Sequence, residues 1–520
     1  MKKEMKLGLA LSGGGFRAAF FHLGVLAGMA SRGLLRHVEV ISTVSGGSII
    51  GALYYLHLKR LLESKADEDI TDKDYEDIIA RLERDFLAGV QRNIRMRTFL
   101  NPLKNLRMSR PDYSRSDRIG ELYDQIFFRP VLRPGSRRPV EMRELEIRPR
   151  PGRQAGGTSQ NSRQAKVPTI KINATTLNTG HNWRFTPRSM GEPERKSRLG
   201  REIDKNSRLL MPPSYRSITV RQQNIELGHA VAASTGVPGL FPPLSISGLY
   251  PGLRVQLVDG GVHDNQGIQG LLDANCTHFV VSDASGAMPD DPQPSTQVLP
   301  VMRRVIDIFA DRLREEQLLR LIEKDESRVA LIYLLKGMDA RVLPWISADG
   351  RPVASILMER RSRVASEDFG VRQSVQRLLS QIRTDLDTFT ELEAYSLMLC
   401  GYRMSCHEFE RLSSWPFPIR VKAASPEWKF TQVAPLLEHP SPEYIRQLKV
   451  ASSLFLKVFR LEPPLAGAVI ALLGGGLAAG CIACADAIDR LLKTPLTLGQ
   501  LLLAAFLLTL GLLPRFSRLV

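Results

Sequence analysis

Lys6-Leu7-Gly8-Leu9-Ala10-Leu11-Ser12-Gly13-Gly14-Gly15-Phe16-Arg17 and, further on, Val38-Glu39-Val40-Ile41-Ser42-Thr43-Val44-Ser45-Gly46-Gly47 decide the fold. Each pairs a short apolar or β-branched run with a glycine-rich break. Residues 6–11 predict a buried strand ended by Ser12 and the glycines. Residues 16–32 carry apolar side chains at helical spacing through Ala19, Phe20, Leu23, Leu26 and Ala27. Residues 38–44 predict a second strand, and 47–62 a second helix with Ile50, Leu53, Tyr54 and Leu58 on one side. Strand, helix, strand, helix opens an α/β fold with a parallel sheet. Right-handed crossovers put the loops after both strands at one sheet edge, where α/β sites form.

Working outward, residues 67–143 are helical and polar. Between 92 and 118 they hold Arg92, Arg95, Arg97, Lys104, Arg107, Arg110, Arg115 and Arg118, interleaved with Phe99, Leu100, Leu103 and Leu106. This pattern fits a membrane-surface helix or a solvated helix packed by its apolar side. Residues 148–166, rich in Pro, Gly, Gln, Ser and Arg, predict a disordered insertion. Further strands are expected at 169–174, 254–258, 278–282 and 329–335, and amphipathic helices at 301–324 and 375–399. Gly236-Val237-Pro238-Gly239 and Pro242-Pro243 mark a tight loop.

The chain of 520 residues carries a formal charge of +17, which favours acidic partners such as anionic lipid or nucleic acid. No zinc-finger spacing, basic zipper or RNA-binding signature accompanies that charge, so nucleic acid is not expected. Five scattered cysteines (Cys276, Cys400, Cys406, Cys481 and Cys484) make no disulfide framework and suit a reducing compartment. Cys481 and Cys484 lie in an apolar stretch without a second pair, as small residues lining a helix. Residues 7–11 are too short for a signal-peptide core.

The C-terminus differs in kind. Residues 463–485 form an uncharged run of 23, and 494–514 one of 21 whose only amide side chain is Gln500. At about 1.5 Å per residue each can cross a ~30 Å hydrocarbon core. The short charged connector 486–493 makes the pair a helical hairpin. Gly476 and Gly480, with Gly467, Ala471, Gly475 and Ala479, allow close helix contact. Arg446, Lys449, Lys457 and Arg460 precede the hairpin, and Arg515 and Arg518 follow it. Positive charge therefore favours both ends, and the body of the protein, on the cytoplasmic face.

A serine hydroxyl attacks only when a base takes its proton and something holds the oxyanion. Ser45 ends a strand and starts a helix, and Gly46 and Gly47 allow the tight turn this needs. Gly13, Gly14 and Gly15 can aim successive backbone N–H groups at the same edge. A phosphate loop is not supported, because the G-K-[ST] ending and the second half of G-x-G-x-x-G are both missing. Arg17 can orient an anionic headgroup or pin the loop. Asp259, ending a strand before Gly260 and Gly261, can face Ser45 as base; His263, four residues later, is the competing base. His22 and His57 fall on helix patterns as packing residues, and His181, His229 and His407 have no supporting context. The pieces point to ester hydrolysis.

Ser12-Gly13-Gly14-Gly15-Phe16-Arg17, the Ser45 turn and Asp259-Gly260-Gly261 resemble, in order, the three signatures of patatin-like phospholipases. The loop from Ala232 through Ser234-Thr235-Gly236 to Pro243, and Asn173-Ala174-Thr175, are similar to two further parts of that family. The resemblance covers residues 6–286. It implies a parallel-sheet α/β hydrolase fold with helices on both faces, a Ser45–Asp259 dyad without a catalytic histidine, and an oxyanion hole at Gly13, Gly14 and Gly15. Arg17, Gly46, Gly260 and Gly261 would support the site, with no metal or cofactor. The implied reaction is cleavage of ester-linked fatty acids from membrane phospholipids. One position departs: the family motif G-x-S-x-G has glycine where Thr43 stands, which bears on the geometry of the turn. The expected layout is a hydrolase domain at 1–415, a juxtamembrane helical linker at 416–462 and a transmembrane hairpin at 463–520. A histidine-dependent esterase and a non-catalytic lipid-binding scaffold are the alternatives.

Overall fold

The structure, a computed structural model, describes residues 5–453 apart from 100–101, 109–112, 153–162, 195–196, 287, 289, 339–342, 344, 351, 354–368, 413–414 and 421–427. The chain divides into two units, Met1–Leu454 and Phe455–Val520. The expected hairpin at 463–514, with Cys481 and Cys484, lies outside the described residues. Among the described residues no helix is long and apolar enough to cross a membrane.

A nine-stranded mixed sheet forms the centre. Its strands are β1 (Leu7–Leu11), β2 (Val38–Val44), β3 (Thr169–Thr176), β4 (Asn182–Phe185), β5 (Met190–Gly191), β6 (Leu244–Tyr250), β7 (Leu253–Asp259), β8 (His278–Asp283) and β9 (Val329–Tyr333). The order β5-β4-β3-β2-β1-β8-β9 has a parallel core from β3 to β9, with β4 and β5 antiparallel at one edge. β1 is buried throughout, as the centre of a sheet covered on both faces must be.

Helices cover both faces, unequally. Leu7, Leu9 and Leu11 join the large core beneath α1 (Gly15–Ser31), α2 (Gly46–Ser64) and α3 (Asp72–Val90), while Ala10 and Val40 join a small cluster with Ile268, Leu271, Leu318 and Leu321. α1 is buried on nearly all sides and lies against a later helix, Glu391–Arg411. The approach is so close that a Cβ on Gly24 would sit 1.9 Å from the Met398 carbonyl oxygen.

Three expectations need correcting. The amphipathic pattern at 375–399 is not one helix but two, Gln373–Ser380 and Glu391–Arg411. The break is held from outside, because Arg17 takes the carbonyls of Ser380 and Ile382. The second helix has its own start: the Thr390 hydroxyl accepts from the Glu393 N–H at 3.2 Å, and the Glu393 carboxylate accepts from the Thr390 N–H at 2.8 Å. The expected linker beginning at 416 is partly core: Phe430, Leu437, Tyr444, Leu448 and Ala451 are buried, and Glu83 accepts from the Phe430 N–H. The flanks of the expected insertion at 148–166 are anchored as well, since Asp67 accepts from the N–H groups of Gln164 and Ala165. Its middle lies outside the described residues. The basic stretch near 92–118 packs by Ile94 and Thr98, with Arg95 paired to Asp385 and Arg118 to Glu121.

Candidate active site

Strand β3 acts as the ruler of the site. β2 runs parallel along its first part, ending with Val44 opposite Asn173. β7 runs antiparallel along its last part, ending with Asp259 opposite Ala174. β4 pairs Ile172–Thr175 and so occupies the other side. The ends of β2 and β7 therefore meet head to head at adjacent β3 residues, and Ser45 and Asp259 meet despite their separation in the chain. Gly260 is required at this junction: a Cβ there would lie 2.4 Å from the Asn173 carbonyl oxygen and 3.2 Å from Val44 Cγ1.

Ser45 turns from β2 into α2 with φ 49° and ψ −121°, a conformation non-glycine residues hold only under constraint. A chain of hydroxyls supplies that constraint. The Ser45 N–H donates to Ser234 Oγ at 2.9 Å; the Ser48 hydroxyl lies 2.9 Å from Ser234 Oγ and donates to Thr43 Oγ1 at 2.9 Å; Thr43 in turn donates to the Lys171 carbonyl at 3.3 Å. Ser234 ends helix α4 (Leu227–Ser234) and bridges both halves of the site, because its carbonyl accepts from the Gly260 N–H at 3.4 Å. Thr43, the departure from G-x-S-x-G, is thus a member of the scaffold. Its methyl has room because residue 51 is glycine: a Cβ there would lie 2.6 Å from Thr43 Cγ2.

The glycine loop is pinned from all sides. The Ser12 N–H donates to Ser282, and the Ser12 hydroxyl accepts from the Ala284 N–H. His22 is buried and holds the same junction: Nε2 is 2.9 Å from the Ser12 carbonyl and Nδ1 2.7 Å from Ser282 Oγ. Burial pushes its pKa down to about 4, so it is neutral at pH 7, with Nε2 donating and Nδ1 accepting. Arg17 is buried too, bonded to the carbonyls of Ser380, Ile382 and Ala284; desolvation lowers its pKa to about 10, against the pull of Asp283. These bonds tie the loop to its neighbours.

Of the three glycines, Gly13 differs from the expectation: its N–H donates to the Asn265 carbonyl at 2.9 Å and is not free to receive an oxyanion. The N–H groups of Gly14 and Gly15 have no such partner among the described residues. Both adopt positive φ, 132° and 60°. Gly15 also abuts the Ser45 turn, since a Cβ on Gly46 would lie 1.9 Å from its carbonyl oxygen. The Gly46 N–H, first in α2, is a third unclaimed donor there.

Asp259 is 6% exposed. Its N–H donates to Gly236 at 2.9 Å and its Oδ1 accepts from the Gly261 N–H at 2.7 Å. Oδ2 is buried and makes no hydrogen bond of ordinary geometry, although the Ser45 hydroxyl is near enough to favour the charged form. Burial outweighs both stabilising contacts and raises the pKa to about 6. His263 lines a cavity of about 780 Å³ beside this turn, with Val262, Leu313 and Gln317; neither Ser45 nor Asp259 lines it. His181 is bonded to Glu192 and Asp204, and His229 faces Glu226 and Asp117.

A family model described as patatin-like phospholipase matches residues 9–272, about half of the chain. The chain belongs to the patatin-like phospholipase family. Among solved structures this patatin-like protein is similar to human GIVD cytosolic phospholipase A2 in complex with methyl γ-linolenyl fluorophosphonate and terbium chloride, at 14% identity and TM-score 0.40 over 79% of this chain and 59% of that one. The same human protein without those ligands gives 12% and 0.38, over 79% and 60%. VipD from Legionella pneumophila gives 12% and 0.27, over 86% and 83%. The chain thus spans about six-tenths of the human protein's length. No curated protein matches it in sequence.

Sequence reasoning missed Ser234 as the residue that joins the Ser45 turn to the Asp259–Gly260 turn, and missed Asn265 as the acceptor for Gly13. Ser234 stands inside the quoted Ala232–Pro243 loop, but nothing in its local pattern shows which strand ends its hydroxyl and carbonyl reach. Among the described residues no group of His, Cys, Asp or Glu side chains is arranged to hold a metal ion.

Proposed function

We propose that this protein is a lipid acyl hydrolase that cleaves ester-linked fatty acids from membrane phospholipids with a Ser45–Asp259 dyad. The observation that carries the reading is the meeting of β2 and β7 on adjacent β3 residues. It sets a strained serine beside a carboxyl that is ionised at neutral pH but basic for an aspartate. Asp259 takes the Ser45 proton as Oγ attacks the acyl carbonyl carbon. The N–H groups of Gly14 and Gly15, joined by Gly46, receive the oxyanion. Collapse breaks the ester C–O bond, and protonated Asp259 returns its proton to the departing lysolipid alkoxide. Water, deprotonated by Asp259, then attacks the acyl-enzyme and releases the fatty acid and free Ser45. Neutral His22 and bonded Arg17 keep the glycine loop in place and stay out of the proton path. Residues 463–514 serve as a membrane-spanning hairpin that keeps the catalytic unit on the cytoplasmic face.

Fatty-acid release from phospholipid vesicles tests the reading. Ser45→Ala and Asp259→Asn each abolish it, and His263→Ala retains it. A fluorophosphonate probe labels the wild-type chain at Ser45 and fails to label Ser45→Ala. Full activity in Asp259→Asn, or its loss in His263→Ala, would transfer the base role to histidine; absence of labelling would favour an inert scaffold.

A further inference from the structure

Helix α5 (Val298–Lys324) has 27 residues, about 40 Å at 1.5 Å each. It returns the chain from β8 to β9, strands of six and five residues that span only about 20 Å. Its register against the sheet is fixed by Arg314, whose guanidinium lies 3.8 Å from Asp283, the last residue of β8, and 5.0 Å over the ring of Tyr333, the last of β9. Leu318 and Leu321, further along, are its only buried side chains. The sixteen residues before Arg314, about 24 Å of helix, therefore lie beyond this anchor at the strand ends, on the side of the edge that carries Ser45 and Asp259.

The two halves of this helix have opposite faces. The stripe Arg303, Asp307, Asp311, Arg314, Leu318, Leu321 is polar in the overhang and apolar where it meets the sheet. The opposite stripe runs Val298, Met302, Val305, Phe309 and then Arg312, Glu316, Arg320 and Glu323. Its apolar part is bare: Val298 is 73% exposed and Phe309 69%, and neighbouring Leu299 and Ile306 are 77% and 64% exposed. Such a patch exceeds the scattered apolar residues of an ordinary surface. Val237 and Leu240, just after the Gly236 carbonyl that holds Asp259, and Val262, next to Gly261, are exposed on the same active-site turns.

We propose that the overhang, residues 298–313, is an interfacial helix that lies in the surface of an anionic bilayer and sets the Ser45 edge against the lipid. Lipid is chosen as occupant for two reasons. The overhang carries Arg303, Arg304 and Arg312 against Asp307 and Asp311, so it is slightly basic in itself, and it belongs to a chain of net charge +17, which complements anionic headgroups. The overhang also projects from the edge through which a lipid ester must enter, a point that rests on the hydrolase reading.

The test uses the full chain in vesicles of phosphatidylcholine and phosphatidylglycerol. A photoreactive benzoylphenylalanine replaces Phe309 in one protein and Glu316, on the polar continuation of the same stripe, in another. Lipid adducts at 309 and not at 316 support the proposal. Adducts from 309 to residues 455–520 or to a second copy of the chain, equal lipid labelling at both positions, or no adduct at 309 overturn it. In parallel, Met302→Glu with Phe309→Glu lowers fatty-acid release from the vesicles at least about tenfold, while hydrolysis of a soluble short-chain ester changes less than about twofold. Unchanged vesicle hydrolysis counts against the proposal. Should the wild type release no fatty acid, the hydrolase reading falls, and the cross-link still decides where the helix sits.

Discussion

Replacing Asp259 by Asn separates the cost of burying its carboxyl from the proposed use of that carboxyl as a base. Burial holds the Asp259 carboxyl near 6, against an ordinary value near 4. At pH 8 the folded protein therefore carries a charge that the unfolded chain would carry more easily, at a cost of about 3 kcal/mol. The sign follows from proton counting. Between pH 4 and 6 the folded state holds a proton the unfolded state has lost, so this group's stabilising contribution is full below about 4 and disappears as pH rises through 6. Asparagine keeps the shape, its oxygen can still accept from the Gly261 N–H, and it has nothing to ionise. Urea unfolding followed by tryptophan fluorescence, in one detergent throughout, should show Asp259→Asn more stable than wild type by about 2–3 kcal/mol at pH 8. The gap should close toward pH 4. Fatty-acid release should fall by at least about 10³-fold. A variant less stable than wild type at pH 8, or a stability difference that does not change with pH, would refute the claim that burial sets this carboxyl's basicity.

Other outcomes follow from the same geometry. In wild type, kcat/KM for a soluble ester should fall as pH drops through about 6, where the base protonates, and that acid limb should be unchanged in His263→Ala. Ser234→Ala should lower kcat about tenfold with little change in KM, because it frees the Ser45 turn without touching substrate. Gly51→Ala and Thr43→Gly should each cost about 1–3 kcal/mol, the first by overpacking and the second by leaving a gap and removing one of the two partners of the Ser48 hydroxyl. Together they should cost about 1–2 kcal/mol less than the sum, as unfolding titrations would show; simple additivity would mean that residue 51 does not make room for residue 43. Ser45→Gly should be about 1 kcal/mol more stable than Ser45→Ala, both inactive, because only glycine relaxes at φ 49°.

The local half of this site was legible because it is written in adjacent residues. A β-branched strand followed by Ser-Gly-Gly has few ways to continue, and β2 and α2 begin and end close to where periodicity put them. Helix 375–399 failed for the opposite reason. Its apolar spacing permits a continuous helix, and the break exists because Arg17, more than 350 residues earlier, captures the carbonyls of Ser380 and Ile382. Helix α5 shows a third situation. Its composition announces an amphipathic helix, but the exchange of faces near Arg314 matters only once the strand ends are known.

The antiparallel arrival of β7 is the step that local patterns could not supply, and it is what sets Asp259 beside Ser45. On that side β2 already holds β3 up to Asn173, so a strand entering parallel to β3 could pair only its last residues. It would also present its C-terminal residue at the far end of β3, beyond Thr176. By running the other way, β7 fills only Ala174–Thr176 and stops where β2 stops. Two strand ends then share one junction, closed by Gly260 against Asn173 and clamped by Ser234. The sheet itself thus brings the Ser45 hydroxyl close enough to the Asp259 carboxyl to favour its charged form. Burial at that junction also raises the carboxyl's pKa to about 6.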